Sequence, residues 1–480
     1  MTTEVLNLIA NDAAPASDGV TFERRNPARP NEVVSVAPQS TAADVAAAVD
    51  AANRARDGWR ATSPTARARI LERAGDILAE RAREIATELT DEEGKPLVDA
   101  LNEAARAPQN LALYAAEAIR LTGTTFPSDE PGTLVYSQRD PLGVIAVITP
   151  WNFPLNLAAR KIGPALGAGN TVVFKPSPIT PLMGHRLAIA LVDAGLPPGV
   201  LNVVHGDAAG QHLVADDRVA GVTFTGSTAT GGRIHAALGA GRRAQLELGG
   251  NNPVVVLADA DLDQAAAVVA ASAFNLSGQA CTGAGRLLVD DSVHDALVER
   301  VASIVGGYVL GDGAEAATTH GPLIDEAARD RVRSAVDDSI AAGAKVVFGA
   351  STSEHLGDGW FYPPTLLDNV DPAMRIANEE VFGPAVGIER IDGIDDALAR
   401  ANDSPYGLTA AICTTNLASA QHFAADIQAG MVRINRPTVG AAFNAPFGGI
   451  KASGTGVFKE QLGPGVFEFY TTSRTIFLAH

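Results

Sequence analysis

The chain of 480 residues contains two cysteines, and their surroundings differ in a way that bears on chemistry. Cys281 lies in Ser-Gly-Gln-Ala-Cys-Thr-Gly, where small and polar neighbours leave room for a substrate to approach a thiolate. Cys413 lies in Leu-Thr-Ala-Ala-Ile-Cys-Thr-Thr, an apolar setting typical of a structural cysteine. A lone cysteine is structural more often than catalytic, so Cys281 is a candidate nucleophile only if other groups support it.

Two polar residues at the ends of apolar segments are candidates for that support. Glu247 lies in Gln-Leu-Glu-Leu-Gly-Gly, where an apolar strand end raises a carboxyl pKa and suits a general base. The alternative is a surface glutamate on an edge strand. Asn152, in Thr-Pro-Trp-Asn-Phe-Pro, lies between a buried strand and a helix, and its amide can donate to a developing oxyanion or simply cap the helix.

The segment Phe224-Thr225-Gly226-Ser227-Thr228 is the best candidate for a phosphate contact. It ends a strand and opens a helix, where free backbone N–H groups and a hydroxyl bind phosphate, although a plain helix cap explains the segment equally well. Two glycine patterns, beginning at Gly239 and Gly311, lie outside the strand-to-helix order and are interpreted as chance matches. The nine histidines show neither HExxH spacing nor a clustered pair, so no zinc or other metal site is predicted.

The apolar periodicity predicts the elements that position these candidates. Residues 41–109 have helical spacing, and residues 143–238 alternate near-continuous apolar strands with helices, which predicts a parallel doubly wound α/β sheet. A second α/β series follows Cys281, so its loop is expected where two units meet, at the carboxyl ends of strands. The tail, 467–477, alternates as a strand and is predicted to pair with residues 133–138 or with another subunit.

The composition excludes several classes of protein. The chain has 37 Lys and Arg against 55 Asp and Glu, a net charge of −18, which disfavours nucleic acid and anionic lipid as partners. Its length predicts two to four domains. Few cysteines and an N-terminus without a basic, apolar leader favour a cytoplasmic protein. The most apolar stretch, 265–274, is about half of what spans a bilayer, so no membrane partner is expected.

Several motifs, taken in order, resemble those of the NAD(P)-dependent aldehyde dehydrogenase superfamily: TPWNFP, FKP, FTGST, LELGG, GQAC, EEVFGP and PFGG. The likeness runs from about Asn26 to Phe477. Two further matches are NDSPYGLTAAICTT and GGIKASGTG followed by KEQ. They resemble the bacterial semialdehyde dehydrogenases of the 2-oxoglutarate semialdehyde type in particular, and also those of the succinic semialdehyde type. The resemblance implies a Rossmann-type cofactor domain, a second α/β catalytic domain and a β bridging element.

The resemblance also implies catalytic roles. Cys281 matches the nucleophile, and Asn152 with the backbone N–H of Cys281 matches the oxyanion site. Glu247 matches the base that activates water to hydrolyse a thioester, and Lys161 resembles a nearby lysine that helps to relay protons. A thiolate and a carboxylate in one pocket are consistent with oxidation of an aldehyde to an acid.

An NAD(P) site is implied in the same way. Lys175 matches a ligand of the adenosine ribose, Ser227 the pyrophosphate contact, and Glu380 with Phe382 the clamp on the nicotinamide ribose. The other positions expected to line the cofactor are Thr149, Pro150, Trp151, Ser177, Pro178, Gly210, Phe224, Gly226, Leu248 and Gly249.

The expected domains are an NAD(P)-binding domain of residues 1–122 and 143–249, a catalytic domain of residues 250–455, and a bridging element of residues 123–142 and 456–480. The resemblance implies a homodimer or a homotetramer built through the bridging element.

Two positions depart from common family patterns. Pro178 stands where many NAD-preferring members have an acidic residue for the ribose 2′-hydroxyl, so we expect NADP and NAD both to be used, with a lean towards NADP. Arg160 stands where general members often have Trp, and it predicts a bound substrate carboxylate unless it points away to a surface acid. Succinic semialdehyde dehydrogenases also have Arg at the position of Arg160. The second arginine of those enzymes, six residues before the nucleophile, is replaced here by Asn275.

The expected function is the oxidation of an aldehyde, a carboxylate-bearing semialdehyde, to its acid through a thiohemiacetal and a thioester on Cys281. The alternatives are a general aliphatic or aromatic aldehyde dehydrogenase, a CoA-acylating dehydrogenase and a non-catalytic binding protein. The CoA-acylating reaction is disfavoured because such enzymes usually lack the base at Glu247, and the non-catalytic alternative because every catalytic position is filled.

Overall fold

The computed structural model describes residues 2–239, 241–351, 357–454, 458–460 and 465–479. The helices are α1 (Ala42–Ala61), α2 (Pro64–Glu80), α3 (Ala82–Glu93), α4 (Leu97–Ala118), α5 (Pro154–Gly167), α6 (Pro181–Asp193), α7 (Ala209–Ala215), α8 (Thr228–Leu238), α9 (Leu262–Phe274), α10 (His294–Val305), α11 (Glu326–Ala341), α12 (Arg375–Asn378), α13 (Gly393–Asn402) and α14 (Leu417–Asp426). The strands are β1 (Thr3–Glu4), β2 (Asn7–Ile9), β3 (Asp12–Ala14), β4 (Thr21–Arg25), β5 (Val33–Pro38), β6 (Thr125–Phe126), β7 (Thr133–Pro141), β8 (Val144–Ile148), β9 (Thr171–Lys175), β10 (Leu201–Val203), β11 (Val219–Thr225), β12 (Arg243–Glu247), β13 (Asn252–Val256), β14 (Ala284–Asp290), β15 (Lys345–Phe348), β16 (Thr365–Asp368), β17 (Ala385–Ile391), β18 (Thr409–Cys413), β19 (Met431–Ile434) and β20 (Thr471–Ala479).

The first large sheet has the strand order β12-β11-β8-β9-β10-β2-β3. Strands β12 to β10 pair in parallel, and β2 and β3 add to them in antiparallel. Alternate residues of β8 pack into two different apolar clusters, Ile145 with helices α2, α4, α5 and α6, and Ala146 with α1, α7 and α8. Helices therefore cover both faces, which explains the near-continuous apolar strands and confirms the predicted α/β fold class.

The second large sheet has the order β15-β16-β17-β14-β13-β18-β19 and is parallel except for the antiparallel edge strand β15. Cys281 lies just before β14, after a 3-10 turn at Asn275–Gly278. The second α/β series predicted after Cys281 is confirmed.

The third sheet has the antiparallel order β20-β7-β6. Thr471 of the tail lies opposite Pro141, and Ala479 lies opposite Thr133, so the predicted pairing with residues 133–138 is confirmed. The predicted start of this strand, at residue 467, is wrong. Phe467 and Tyr470 are buried in the core below the first sheet, and a turn from Phe467 to Tyr470 precedes the strand.

The predicted helices of residues 41–109 are confirmed as α1 to α4. Thr41 and Asp44 form a capping box that fixes the start of α1. The five N-terminal strands were not predicted, because strands of two to six residues carry too little periodicity to recognise. The predicted domain bounds stay a prediction, and the boundary at residues 455 and 456 lies outside the described residues. Within the described ranges, none of the helices combines the length and the apolar character needed to cross a membrane.

Candidate active site

The carboxyl ends of β8, β9, β11 and β12 meet at one edge of the first sheet. Ile148 of β8 lies opposite Lys175 of β9 and Phe224 of β11, and Thr225 of β11 lies opposite Glu247 of β12. Residues that follow these strand ends are brought together at the edge where parallel sheets bind ligands.

The loop of Cys281 is anchored to the second sheet. The Nδ2 atom of Asn252, on β13, donates to the carbonyl oxygens of Cys281 at 2.8 Å and Gly283 at 2.7 Å. Cys281 itself is half-buried, whereas Cys413 is buried in the apolar core of the second sheet. The difference agrees with a structural cysteine at Cys413 and an approachable thiol at Cys281.

Asn152 connects the end of the first sheet to the cysteine loop. Its Nδ2 donates to the backbone oxygen of Gln279 at 3.0 Å, two residues before Cys281. An amide nitrogen carries two hydrogens, so this bond leaves the second one for another acceptor. The helix-cap alternative does not apply, because Phe153 is the N-cap residue of α5 and the Asn152 side chain is directed to Gln279 instead.

Glu247 ends the edge strand β12 and is 3% exposed, so the alternative of a surface glutamate is excluded. Its Oε1 accepts from the backbone N–H of Glu460 at 3.0 Å, and its Oε2 has no partner among the described residues. Burial, together with the negative charge of Glu460, raises the pKa of Glu247 to about 8, against the opposing charge of Lys161. A carboxyl of this kind is largely protonated at neutral pH and becomes a strong proton acceptor as the pH rises through about 8.

Glu460 organises both cationic residues of α5. Lys161, wholly buried, donates to Oε2 of Glu460 at 2.8 Å and to the hydroxyl of Thr223 at 3.1 Å. Arg160, also buried, has its Nε 2.5 Å from Oε1 of Glu460 and its guanidinium over the ring of Phe447, 4.6 Å from the centroid. Burial opposes ionisation of Glu460, but these two cations outweigh it and hold its pKa below the usual range.

The structure excludes one of the two expectations for Arg160, and its contact with a substrate carboxylate stays a prediction. Arg160 does not pair with a surface acid, because Glu460 is buried. Arg160 shares the single carboxylate of Glu460 with Lys161, and its Nη2 has no hydrogen-bond partner among the described residues. The residue missed from the sequence is therefore Glu460, within the KEQ motif, whose Gln461 lies outside the described residues.

The thiol of Cys281 is protonated in this arrangement. Burial, followed by the negative charges of Glu380 and Glu247, raises the pKa of Cys281 to about 12, and the positive charge of Arg160 opposes them. A thiol of this pKa reacts slowly, so the nucleophile needs a change in its surroundings before it attacks.

Lys175 and its neighbours form one part of the expected cofactor region. A side chain at Gly210 would lie in ordinary contact with the aliphatic part of Lys175, which is itself buried. Burial lowers the pKa of Lys175 to about 8. The hydroxyl of Ser177 accepts from the backbone N–H of Ile179 at 3.2 Å, and Pro178 is half-buried beside it.

The N-terminus of α8 forms the second part. Ser227 caps the helix, and its hydroxyl accepts from the backbone N–H of Thr230 at 3.3 Å. This is the helix cap that the sequence offers as the alternative to a phosphate contact. The hydroxyl oxygens of Thr225 and Thr228 are buried and have no partner within the described ranges. A side chain at Gly226 would collide with the ring of Phe224, so the backbone stays open there. Open backbone, orphaned hydroxyls and a helix N-terminus fit a phosphate-bearing ligand.

Glu380 and the glycines after Glu247 form the third part. The backbone N–H of Gly250 donates to Oε1 of Glu380 at 3.1 Å, and a side chain at Gly249 would collide with the carboxylate. Burial raises the pKa of Glu380 to about 7. Leu248 packs against Gly231 of α8. The backbone around Glu380 is thus shaped to keep a carboxylate beside the Cys281 loop.

Phe382 lies beside that carboxylate. It has a left-handed backbone (φ 54°), and its ring meets Trp151 edge-on with 5.6 Å between the ring centroids. Trp151 follows Thr149 and Pro150, and the backbone N–H of Thr149 lies 3.4 Å from the carbonyl of Lys175. The first two parts lie at the strand ends of the first sheet, Glu380 and Phe382 precede β17 of the second, and the donor set of the three parts fits a dinucleotide.

Comparison with known proteins decides the family. The model of the aldehyde dehydrogenase family matches residues 14–476. The chain belongs to that family. The predicted resemblance is confirmed, and this aldehyde dehydrogenase is an oxidoreductase of aldehydes that uses NAD(P). No group of three or more metal-ligating side chains occurs among the residues that the structure describes.

Individual relatives are similar over almost the whole length of this aldehyde dehydrogenase. It is 40% identical to an alpha-ketoglutarate semialdehyde dehydrogenase of Haloferax volcanii, covering 99% of each chain. It is 38% identical to the NADP(+) succinate-semialdehyde dehydrogenase of Escherichia coli, covering 94% of this chain and 93% of the relative. An NAD-dependent aldehyde dehydrogenase from Sinorhizobium meliloti superimposes with a TM-score of 0.96 at 35% identity, over 100% of this chain and 95% of the other.

Proposed function

We propose that this aldehyde dehydrogenase oxidises a short aldehyde bearing a second, carboxylate group to the corresponding acid, with Cys281 as nucleophile. The observation that supports it most is the hydrogen bond from Asn152 to Gln279, which brings an amide donor to the cysteine loop. Glu247, buried and with one oxygen that has no partner among the described residues, supplies the base that the second half of the reaction needs.

The chemistry follows from these groups in two halves. The sulfur of Cys281, once deprotonated, adds to the aldehyde carbon, and the amide of Asn152 with the backbone N–H of Cys281 stabilises the resulting oxyanion. Lys175, Ser227 and Glu380 would hold NAD(P), which would supply the acceptor for the hydride of this carbon, so that a thioester would be left on Cys281. Glu247 then removes a proton from water as the oxygen attacks the thioester, and the carbon–sulfur bond breaks to release the acid.

Lys161 is placed to assist the removal of that proton. Its ammonium group binds Glu460, and the backbone N–H of Glu460 donates to Glu247. Lys161 makes no direct hydrogen bond to Glu247, but its positive charge favours the ionised form of Glu247 and so the return of the proton to solvent.

A carboxylate on the substrate is supported by the names of the two relatives and by a pair of arginines. Arg106 of α4 has no acidic partner among the described residues and lies over the ring of Phe443, 3.1 Å from the centroid. Its Nη2 donates to the carbonyl of Ala441 at 3.0 Å. Arg160 lies over Phe447 of the same segment. Burial, followed by the positive charge of Arg160, lowers the pKa of Arg106. An anion bound beside Arg106 would stabilise its charged form and offset this effect.

The cofactor proposal is dual use of NAD and NADP with a lean towards NADP. It rests on Pro178, which has no acidic group to repel a 2′-phosphate, and on Lys175 and Ser177, which supply a cation and a hydroxyl nearby. We also propose the division into domains given above. The third sheet is proposed to join the subunits of a homodimer or a homotetramer.

A substrate panel without CoA tests the function. We expect reduced nicotinamide to form with succinic, glutaric and 2-oxoglutaric semialdehydes, with kcat/KM above that for butanal, pentanal or benzaldehyde. Replacement C281A should abolish turnover, and C413A, a matched control, should keep it. A strict need for CoA, or activity of C281A, would overturn the mechanism. A preference for the neutral aldehydes would support a general aldehyde dehydrogenase instead.

A further inference from the structure

A buried lysine lies against the backbone of Asn152, outside the groups considered so far. Lys95 donates from Nζ to the carbonyl oxygen of Asn152 at 2.8 Å and to Oε2 of Glu103 at 2.6 Å. The same ammonium group lies over the ring of Phe153, 4.7 Å from the centroid. The side chains of Lys95 and Glu103 are 1% and 2% exposed, so water does not substitute for these contacts.

Glu103 binds the chain on the other side of Asn152. Its Oε1 accepts from the backbone N–H groups of Leu155 at 3.0 Å and Asn156 at 3.2 Å, in the first turn of α5. Those N–H groups have no partner within their own helix, and Phe153 at the N-cap has no side-chain acceptor. Glu103 therefore caps α5 from a different helix, with its negative charge at the positive end of the helix dipole.

The backbone around Lys95 is built to deliver this side chain. Gly94 ends α3 with a left-handed backbone (φ 94°), and a side chain there would press on Pro27 at 2.6 Å and Pro322 at 2.8 Å. Pro96 then starts α4. Burial opposes the charge of Lys95, but Glu103 and Glu93 outweigh it and raise its pKa.

A buried ion pair contributes little net stability compared with apolar packing, because both ions lose their hydration. The contacts of this pair are instead directed at the backbone on either side of one residue, Asn152. The side chain of Asn152 is in turn held to Gln279, in the loop of Cys281. A shift of about 1 Å in such a donor costs about a hundredfold in rate.

We propose that Lys95 and Glu103 are positioning residues that fix the amide of Asn152 relative to Cys281. Lys95 holds the carbonyl of Asn152, Glu103 holds the start of α5, and together they set where the oxyanion donor lies. The inference rests on the proposed function, since it concerns the oxyanion of the same reaction.

A double-mutant cycle tests it. Lys95→Met is made in the wild type and in Asn152→Ala, and kcat is measured with saturating aldehyde and cofactor. In the wild type we expect kcat to fall by about 10- to 100-fold, with KM for NAD(P) changed by less than about threefold. In Asn152→Ala the same replacement should cost less than about threefold, because the donor that it positions is already absent. Lys345→Met, at an exposed strand edge, is the matched control and should leave kcat unchanged.

Equal losses of kcat in both backgrounds would overturn the proposal, since a purely structural role acts regardless of Asn152. An unchanged kcat would also overturn it. If Lys95→Met does not fold, Glu103→Gln enters the same cycle, because glutamine keeps an acceptor for Lys95 but presents one fewer to α5. If the unmodified enzyme showed no dehydrogenase activity, the proposed function would fail instead, so the two failures are distinguishable.

Discussion

The backbone N–H of Glu460 donates to the carboxylate of Glu247 at 3.0 Å, and the side chain of Glu460 binds Lys161 at 2.8 Å. Glu247 thus lies against a second carboxylate that two cations of α5 keep ionised. The negative charge of Glu460 adds to the effect of burial and keeps Glu247 a stronger base than an exposed carboxylate.

This relationship predicts how hydrolysis depends on pH. A base acts only when ionised, and the pKa of Glu247 is about 8, so kcat should rise with pH to a plateau with a midpoint near 8. Glu247→Gln should release about one equivalent of reduced cofactor per site in a burst and then turn over at least about 100-fold more slowly. Stopped-flow absorbance measures both phases. Glu468→Gln, at an exposed glutamate, is the control. An unchanged steady rate in Glu247→Gln would assign the base elsewhere.

Glu380 should govern the reactivity of Cys281 in the absence of cofactor. After burial, its charge is the largest cause of the raised pKa of the thiol, so Glu380→Gln should lower that pKa. We expect alkylation of Cys281 by iodoacetamide at pH 8 to become about three- to tenfold faster. KM for the cofactor should rise in the same variant if Glu380 holds the nicotinamide ribose. Glu379→Gln changes an exposed neighbour that pairs with Arg375 and should alter neither quantity. Slower alkylation of Glu380→Gln would contradict the electrostatic account.

The sequence predicts the buried parallel strands well because burial on both faces leaves a strong apolar signal. β8 and β9 are wholly buried, and their segments read VIAVI and TVVFK. The start of β20 was misjudged because the aromatic residues from Phe467 to Tyr470 have the same alternating pattern as a strand. Their burial under the first sheet depends on packing that no local window contains.

The site was predictable only where one segment contains its own chemistry. The neighbours of Cys281 indicated an open thiol, but the environment of Glu247 stayed undecided between a buried base and an edge-strand surface. Glu460, which binds Glu247 through its backbone N–H, lies 213 positions away in the sequence. Its side chain binds Lys161, which lies 299 positions away. Lys95 likewise lies 57 positions from Asn152. Contacts at such separations follow from the fold and leave no local sequence signal.

Arg106 should discriminate substrates by charge. A charge-assisted hydrogen bond contributes about 1.5 to 3 kcal/mol, so Arg106→Met should lower kcat/KM for semialdehydes by about 10- to 100-fold. The values for butanal and pentanal should stay within about twofold. Arg120→Met, just beyond α4 and exposed, is the matched control. Equal losses for charged and neutral aldehydes would show that Arg106 acts on the fold and not on the carboxylate.

The third sheet should form the contact between subunits. Leu134 and Leu478 lie opposite each other on β7 and β20 and are 46% and 51% exposed, and Phe477 is 71% exposed. Such an apolar surface is costly in water unless another chain covers it. Leu134→Glu with Leu478→Glu should convert the oligomer to monomers in light scattering. Leu417→Glu, at a leucine of α14 that is still more exposed, should not. A wild type that is already monomeric at micromolar concentration would refute the assignment.

The choice of cofactor should depend on position 178. A carboxylate there would accept a hydrogen bond from the ribose 2′-hydroxyl and repel a 2′-phosphate, so Pro178→Glu should shift the ratio of kcat/KM values towards NAD by at least about tenfold. Pro178→Ala removes the ring without adding charge and should leave the ratio nearly unchanged. Because the pKa of Lys175 is about 8, its charge is lost as the pH rises above that value, and KM for NADP should then rise more steeply than KM for NAD. Initial rates with both cofactors between pH 7 and pH 9.5 measure these effects. A wild type that favours NAD more than tenfold would refute the lean towards NADP, and an unchanged ratio in Pro178→Glu would place the 2′-group elsewhere.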